Sequence, residues 1–329
     1  MSITVDDVKL YDRQIRLWGM EAQERMQRSK ILIVGVTGLT NETLKNIVLA
    51  GVGHITVLDD AVVREVDLGC QFLLRKSDIG KNIAESILPR LKMLNPRVDI
   101  HSDKESVSKK SVEYFQKFDI VCMINSTPNL LLKVNDICHK NGILFWCSST
   151  MGMQSYIFSD LHKHTFTQEV KKTGSLGMSV EKVERTIEYY PLKGVLEMKF
   201  GMPLLQGRSG RKWSKSANPL FFALNIIWSF WLIHNRYPNV EKDRADLNRH
   251  RLEYLKKAEV DPIFVTEEYV LSLTKRQGIE LSPVCAIVGG FLGQEILKVL
   301  ARKEVPFNNF FCHDAHQATA QLMKISPTA

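Results

Sequence analysis

The residues that could do chemistry begin with a turn over residues 35–40 (Gly-Val-Thr-Gly-Leu-Thr) and a carboxylate at Asp59. A glycine turn between a strand and a helix can bind nucleotide phosphates, and an acid ending the next strand can hold a ribose. Thr37 stands where a working turn needs glycine, and its side chain would crowd an approaching phosphate. We interpret Gly35, Gly38 and Asp59 as a degenerate nucleotide site, which still leaves a nicotinamide-dependent oxidoreductase open as an alternative.

The six cysteines and nine histidines are the other candidates for chemistry. No two cysteines form a Cys-x-x-Cys pair, so a zinc ribbon or a disulfide framework is not expected, and a reducing intracellular location fits best. Cys312 and His313 would point to opposite faces of a predicted strand. We therefore expect no metal ligands in this chain.

Alternating strands and helices position the glycine turn. The apolar run at 30–34 predicts a strand buried on both faces, and a helix at 41–50 and a strand at 54–58 complete a βαβ unit. This alternation predicts an α/β fold with a Rossmann-like, doubly wound sheet. The further predictions are strands at 99–102, 119–125, 143–147 and 156–161 and a helix at 130–140.

Beyond residue 150 the pattern changes. We predict a polar loop at 171–179, a half-buried strand at 195–200 and a basic loop within 207–216. The remaining predictions are helices at 218–236, 243–258, 265–276 and 283–302 and strands at 308–313 and 319–325. The predicted organisation has three parts. These are a core with an N-terminal helical arm (1–160), an insertion of a strand and helices (161–282) and a C-terminal helix with strands (283–329).

Composition narrows the class of protein. The 329 residues are 44% hydrophobic and 24% charged, which excludes a largely disordered chain. No secretory signal is readable, and the apolar run at 220–233 is too short to span a bilayer. The net charge of +8 is spread along the chain without a nucleic-acid-binding motif. We expect neither a membrane nor a nucleic acid as partner.

Two segments resemble a known family. Residues 11–19 read Tyr-Asp-Arg-Gln-Ile-Arg-Leu-Trp-Gly, and residues 283–290 read Pro-Val-Cys-Ala-Ile-Val-Gly-Gly. These runs, in this order, resemble the two signatures of the ubiquitin-like-protein activating enzymes. The resemblance implies the adenylation fold of that family, with an added helical segment. Family members adenylate the C-terminal glycine of a small modifier protein and then transfer it to a cysteine, and the eukaryotic enzymes pair a catalytic and a non-catalytic adenylation domain.

Four departures from the active pattern indicate the non-catalytic partner. The glycine turn is degenerate, and Cys70 replaces the arginine that contacts phosphate in active members. Ile83 replaces a lysine, and Asn125-Ser126 occupies the region of a magnesium-binding aspartate. Together these losses would leave a polyphosphate without charge compensation.

The resemblance also implies which residues act. Arg13 would reach the ATP phosphates of the partner in trans, as a forked, permanently charged donor, and Arg16 would assist it. ATP and magnesium would bind mainly in the catalytic partner subunit. The chain length favours SUMO over NEDD8 as the modifier, contacted indirectly, and the nucleus, with the cytoplasm second, as the location. The alternatives are an autonomous adenylating enzyme for a ubiquitin-like or sulfur-carrier protein, the equivalent NEDD8 subunit, and a pure scaffold.

Overall fold

A computed structural model describes residues 3–174, 177–201 and 217–325. Its centre is an eight-stranded sheet in the order β10-β9-β6-β5-β4-β1-β2-β3, in which β1 to β5 are parallel and β6, β9 and β10 are antiparallel. The parallel part has the 3-2-1-4-5 order of a doubly wound fold, which confirms the predicted fold class. The strands are β1 (Lys30–Val34), β2 (His54–Leu58), β3 (Asp99–Asp103), β4 (Ile120–Ile124), β5 (Leu144–Met151), β6 (Gln154–Asp160), β7 (Lys163–Gly174), β8 (Gly177–Glu188), β9 (Phe310–Asp314) and β10 (Thr319–Met323).

Helices cover both faces of the sheet, because its central strands are apolar on both sides. One core lies between the sheet and α3, α4, α5 and α12. The other lies between the sheet and α7 to α11. The helices are α1 (Val5–Leu10), α2 (Asp12–Trp18), α3 (Met20–Arg28), α4 (Gly38–Leu49), α5 (Ile83–Leu94), α6 (Val112–Phe115), α7 (Pro128–Lys140), α8 (Leu192–Leu196), α9 (Pro219–His234), α10 (Arg244–Lys257), α11 (Glu267–Thr274) and α12 (Ser282–Ala301).

Helix α12 packs directly on α4. A Cβ built on Gly289 would lie 2.6 Å from the Cβ of Glu42, and one on Gly293 would lie 2.8 Å from the Cβ of Asn46. The glycines therefore allow the two helix backbones to approach closely. By length and composition α12 could span a membrane, but 67% of its most apolar window is buried inside the protein. That burial is the property of a core helix.

Two sequence predictions in the insertion are wrong. The polar stretch 171–179 belongs largely to a two-stranded antiparallel ribbon formed by β7 and β8, outside the main sheet. The stretch 171–179 is mostly polar, so it lacks the apolar alternation that would have identified a strand. Residues 195–200 begin inside a helix, because Leu192 and Val195 are buried at helical spacing after Pro191. The predicted basic loop, including residues 208–215, lies outside the described residues.

The N-terminal arm, residues 3–28, consists of α1 to α3. Thr4 and Asp7 form a capping box, in which Thr4 Oγ1 accepts from the Asp7 N–H and Asp7 Oδ2 accepts from the Thr4 N–H. Gly19 separates α2 from α3 with a φ of +83°, a conformation that favours glycine. The predicted N-terminal helical arm is therefore confirmed, as three short helices.

Candidate functional site

The glycine turn, residues 35–40, lies between β1 and α4. Strand order reverses between β1 and β4, and open α/β sheets bind ligands beside the carboxyl ends of the strands at such a point. Gly35 has a φ of +90°, and a Cβ there would lie 2.2 Å from the carbonyl oxygen of Ile124 on β4. The backbone path of a nucleotide site is therefore retained, and its first glycine is required by geometry.

The N-terminus of α4 is already bound to an anion from the same chain. Glu280 Oε2 accepts from the Gly38 N–H at 2.7 Å, and Glu280 Oε1 accepts from the Leu39 N–H at 3.2 Å. These free N–H groups and the helix dipole are what would otherwise bind a phosphate. Thr37 accepts from the Thr40 N–H and so caps the same helix. The turn is thus satisfied by residues of the chain itself.

The Asp59 carboxylate accepts hydrogen bonds from the backbone of its own chain. Its Oδ2 accepts from the Val36 N–H at 2.7 Å, and its Oδ1 accepts from the Ala61 N–H at 2.9 Å. Burial raises the pKa of this carboxyl above its usual value. Both oxygens therefore hold the ends of β1 and β2 in place.

The other departures from the active pattern fill the same region. Cys70 donates from Sγ to the Glu280 carbonyl oxygen at 3.2 Å, and its Cβ lies 2.9 Å from a Cβ built on Gly38. Ile83 is buried in the core at the start of α5. The Asn125 side-chain oxygen accepts from Ser149 Oγ at 3.1 Å. Glu280 occupies the place that a phosphate would take, and neither Cys70 nor Ile83 supplies a positive charge there. These residues therefore do not fit a nucleotide with magnesium.

The N-terminal arm is attached to the opposite end of α4. Gln14 and Gln23 both donate to the carbonyl oxygen of Ala50, at 3.0 and 3.1 Å. The Tyr11 ring lies against Gly51, and the Tyr11 hydroxyl accepts from Asn95 Nδ2 at 2.8 Å. A helix of 12 residues is about 18 Å long at 1.5 Å per residue. The arm is therefore about that far from the glycine turn.

Arg13 lies on the outer surface of this arm. It is exposed, and it makes no hydrogen bond or ion pair with any residue that the structure describes. Leu10 and Leu49 line the same shallow cavity beside Arg13, and Leu17 lies one turn further along the arm. All three leucines are more than half exposed. An unpaired arginine among exposed leucines is typical of a surface that contacts another protein.

Arg16 differs from Arg13 in having a partner. Its guanidinium contacts Asp12 at 3.0 and 3.1 Å across one helical turn, and both side chains are largely exposed. Exposed pairs of this kind contribute little to stability and exchange readily. A role for Arg16 beside Arg13 stays a prediction.

Cys312 and His313 point to opposite faces of β9, as the strand pattern predicts. Cys312 lies in the core on one face of the sheet, while Phe311 lies in the core on the other face. His313 Nδ1 lies 3.1 Å from Ser155 Oγ in a buried hydrogen bond. These side chains therefore do not converge on one point.

Sequence reasoning missed Glu280, the residue that fills the glycine turn. Glu280 is separated from Gly38 by 242 positions and sits in no recognisable motif. The Gly152 N–H donates to the Ile279 carbonyl at 2.8 Å, which ties the segment before α12 to the β5–β6 turn. Only the folded arrangement of α12 on α4 brings this carboxylate to the glycine turn.

The fold and the degenerate turn define a class of protein. The chain belongs to the ThiF family, whose family model matches residues 11–329. The match includes the sheet, the glycine turn and Arg13. It begins at Tyr11, the first residue of the run that resembles the opening signature.

Particular relatives are similar over almost their whole length. The chain is 34% identical to the SUMO-activating enzyme subunit 1 of Mus musculus, over 96% of this chain and 93% of the relative. It is 34% identical to the protein of the same name from Homo sapiens, over 99% and 97%. The Danio rerio protein of that name is 32% identical, over 95% and 93%.

Proposed function

We propose that this chain is the non-catalytic subunit of a heterodimeric SUMO-activating enzyme. The single observation that carries the proposal is the contrast between the two ends of α4. Glu280 of this chain fills the glycine turn at one end of this helix, which is about 18 Å long, while Arg13, on the arm attached at the other end, is exposed and unpaired among the described residues. Arg13 is too far from the turn of its own chain to act there, so its phosphate would lie in a partner subunit.

The similarity to proteins named SUMO-activating enzyme subunit 1 supports the choice of modifier. On this proposal, ATP and magnesium bind mainly in the catalytic partner. The C-terminal carboxylate of SUMO attacks the α-phosphate there, the acyl-adenylate forms, and pyrophosphate leaves. A cysteine thiolate of the partner then attacks the acyl carbon, forms the thioester and releases AMP.

The task of Arg13 in this reaction is electrostatic. Negative charge builds on the phosphates as the bond to pyrophosphate breaks, and a fixed guanidinium lowers the energy of that state. The surrounding leucines would be covered by the partner subunit. Removal of water from around the guanidinium would strengthen its interaction with the phosphates.

The test is SUMO-dependent exchange of pyrophosphate into ATP. We expect no exchange by the chain alone, exchange by the complex with the catalytic partner, and a large loss in the Arg13→Ala complex at matched dimer concentration. The control is Arg28→Ala, an exposed arginine of the same arm that pairs with Glu24. Exchange by the chain alone would instead favour an autonomous adenylating enzyme, and an unaffected Arg13→Ala complex would reduce the chain to a scaffold.

A nuclear location, with the cytoplasm second, stays a prediction. Microscopy of the tagged chain, with and without its partner, tests it. A chain confined to the cytoplasm under both conditions would contradict it.

A further inference from the structure

Three potential metal ligands meet at the join between helices α9 and α10, on the side of the fold away from the N-terminal arm. His234 is the last residue of α9, and Asp246 and His250 lie on α10. Asp246 and His250 are four residues apart, so their side chains project from one face of the helix. The turn at 235–243 brings His234 back to that face.

The ligand atoms of these side chains all lie within 4.8 Å of one another. His234 Nε2 is 3.0 Å from Asp246 Oδ2, and His250 Nε2 is 4.0 Å from Asp246 Oδ1. Zinc binds histidine nitrogen and carboxylate oxygen at about 2.0–2.2 Å, which separates tetrahedral ligand atoms by about 3.4 Å. Small side-chain rotations therefore convert the observed arrangement into a coordinating one.

The surroundings fix both imidazoles. The Phe230 ring stacks on His234 with centroids 4.1 Å apart and meets His250 edge to face at 5.5 Å. His250 is buried, and a neutral imidazole is a common metal ligand. His234 is partly exposed, which leaves a path for an ion and a place for a water ligand.

The positive charges nearby leave one carboxylate oxygen of Asp246 to the imidazoles. Arg249 pairs with Asp246 through Oδ1, the oxygen nearer to His250, whereas Oδ2 faces His234. Arg236 pairs with Asp243, and its guanidinium lies 5.4 Å from the Phe230 ring centroid. One carboxylate oxygen and two imidazole nitrogens therefore remain for an ion.

We propose that His234, Asp246 and His250 form a binding site for a divalent transition metal, with zinc as its test ion. Two imidazoles and one carboxylate suit zinc and related ions, whereas magnesium and calcium prefer oxygen ligands alone. The bound ion links the end of α9 to the first turns of α10 and braces the turn between them. This site departs from the sequence-based expectation of no metal ligand and is independent of the proposed function.

The experiment is a calorimetric titration of the full chain with zinc chloride after chelator treatment. We expect one equivalent to bind at micromolar concentration, and magnesium chloride to give no binding. Zinc should also raise the melting temperature, because an ion that binds only the folded state stabilises it. Absence of stoichiometric zinc binding by the wild-type chain would overturn the proposal.

Variants locate the ion. His234→Ala and Asp246→Asn should each weaken zinc binding by at least the roughly 10–100-fold that loss of a supporting residue costs a metal site. His234 is at the surface, so its replacement should leave the fold intact, as circular dichroism can verify. Zinc affinity unchanged in His234→Ala would overturn the proposal.

Two controls separate a metal site from an ion-pair network. Arg249→Gln alters a residue that contacts Asp246 but is not a ligand, so it should keep one equivalent of zinc. His101→Ala removes another exposed histidine that pairs with a carboxylate, at 2.8 Å from Asp99, and should also keep it. Loss of zinc binding in either control, to the degree seen in the ligand variants, would show that the three residues are not the site.

Discussion

The two ends of helix α4 have opposite properties. At its N-terminus the free N–H groups bind Glu280, and Cys70 packs against Gly38. At its C-terminus the arm is fixed by hydrogen bonds from Gln14 and Gln23 to Ala50, yet its outer surface carries Arg13, which has no partner among the residues that the structure describes. The end where a nucleotide would bind is filled, and the end that would face a partner is open.

On the proposed function, the difference explains how a subunit without a nucleotide site of its own can still contribute to a reaction. Filling the glycine turn with a carboxylate satisfies its polar groups without a ligand, so the fold keeps a stable helix terminus. Arg13 needs only a rigid base, which Gln14, Gln23 and Tyr11 provide. The same helix therefore separates a purely structural site from a proposed functional one.

The largest expected effect comes from the open end. Arg13→Ala should reduce SUMO-dependent pyrophosphate exchange by the complex about 10³-fold or more, the range for a phosphate-contacting arginine supplied in trans. Arg13→Lys should recover only part of the loss, because an ammonium lacks the planar fork. Equal exchange rates for the wild-type, Arg13→Ala and Arg13→Lys complexes would contradict this prediction, because the C-terminal end of α4 would then contribute nothing to the reaction.

At the filled end, Glu280→Ala should lower the free energy of unfolding by about 3 kcal/mol, because two charge-assisted hydrogen bonds to the α4 terminus are lost. Urea denaturation of the chain measures this change. Phosphate should restore part of the stability of this variant more than that of wild type, because it can occupy the vacated terminus. The control is Glu304→Ala, a change at an exposed residue, and equal stability of the two variants would contradict a structural role for Glu280.

A single added methyl group between α12 and α4 should lower the stability of the chain. Gly289→Ala should destabilise the chain by about 2 kcal/mol, because the new Cβ meets the Thr43 nitrogen at 3.0 Å and the Leu39 oxygen at 3.1 Å. Gly290→Ala is the matched control, since its Cβ meets nothing within 4 Å and alanine favours the helix by up to about 1 kcal/mol. Thermal denaturation of the two variants should therefore move in opposite directions. Similar shifts would argue against close packing of α12 on α4.

The smallest effect is expected at Arg16. Arg16→Ala removes an exposed pair with Asp12, so the free energy of unfolding should change by less than about 1 kcal/mol. Exchange activity should fall far less than in Arg13→Ala. A loss of exchange activity equal to that of Arg13→Ala would show instead that both arginines of the arm reach the phosphates.

Much of the fold follows from local pattern. The strands at 30–34 and 54–58 have the predicted bounds. The first is recognisable because a strand buried on both faces is a nearly continuous apolar run. The helices near 219–234 and 282–301 were also predictable from their apolar spacing and proline starts. The β7–β8 ribbon was not, because it is polar and its pairing is specified by contacts rather than by periodicity.

The residues of the candidate site were likewise predictable only in part. The degenerate turn, Cys70 and Ile83 are visible as residue types at fixed positions, so the sequence could predict that charge compensation for phosphate is missing. The residue that replaces the phosphate could not be predicted, because no local rule links Glu280 to Gly38 across 242 positions. Arg13 was identified from a resemblance, whereas its exposure and its distance from the turn required the structure.

The sequence by itself determined the sheet and the degeneracy of the glycine turn, since these depend on residue type and short-range spacing. Its resemblance to a known family identified the arginine that is expected to act. The tertiary structure decided that Glu280 fills the turn, that the arm is attached at the far end of α4, and that His234 meets Asp246 and His250. Each of these is a contact between different elements of the fold. Such contacts depend on how whole helices and strands pack against one another, and the local sequence does not specify that packing.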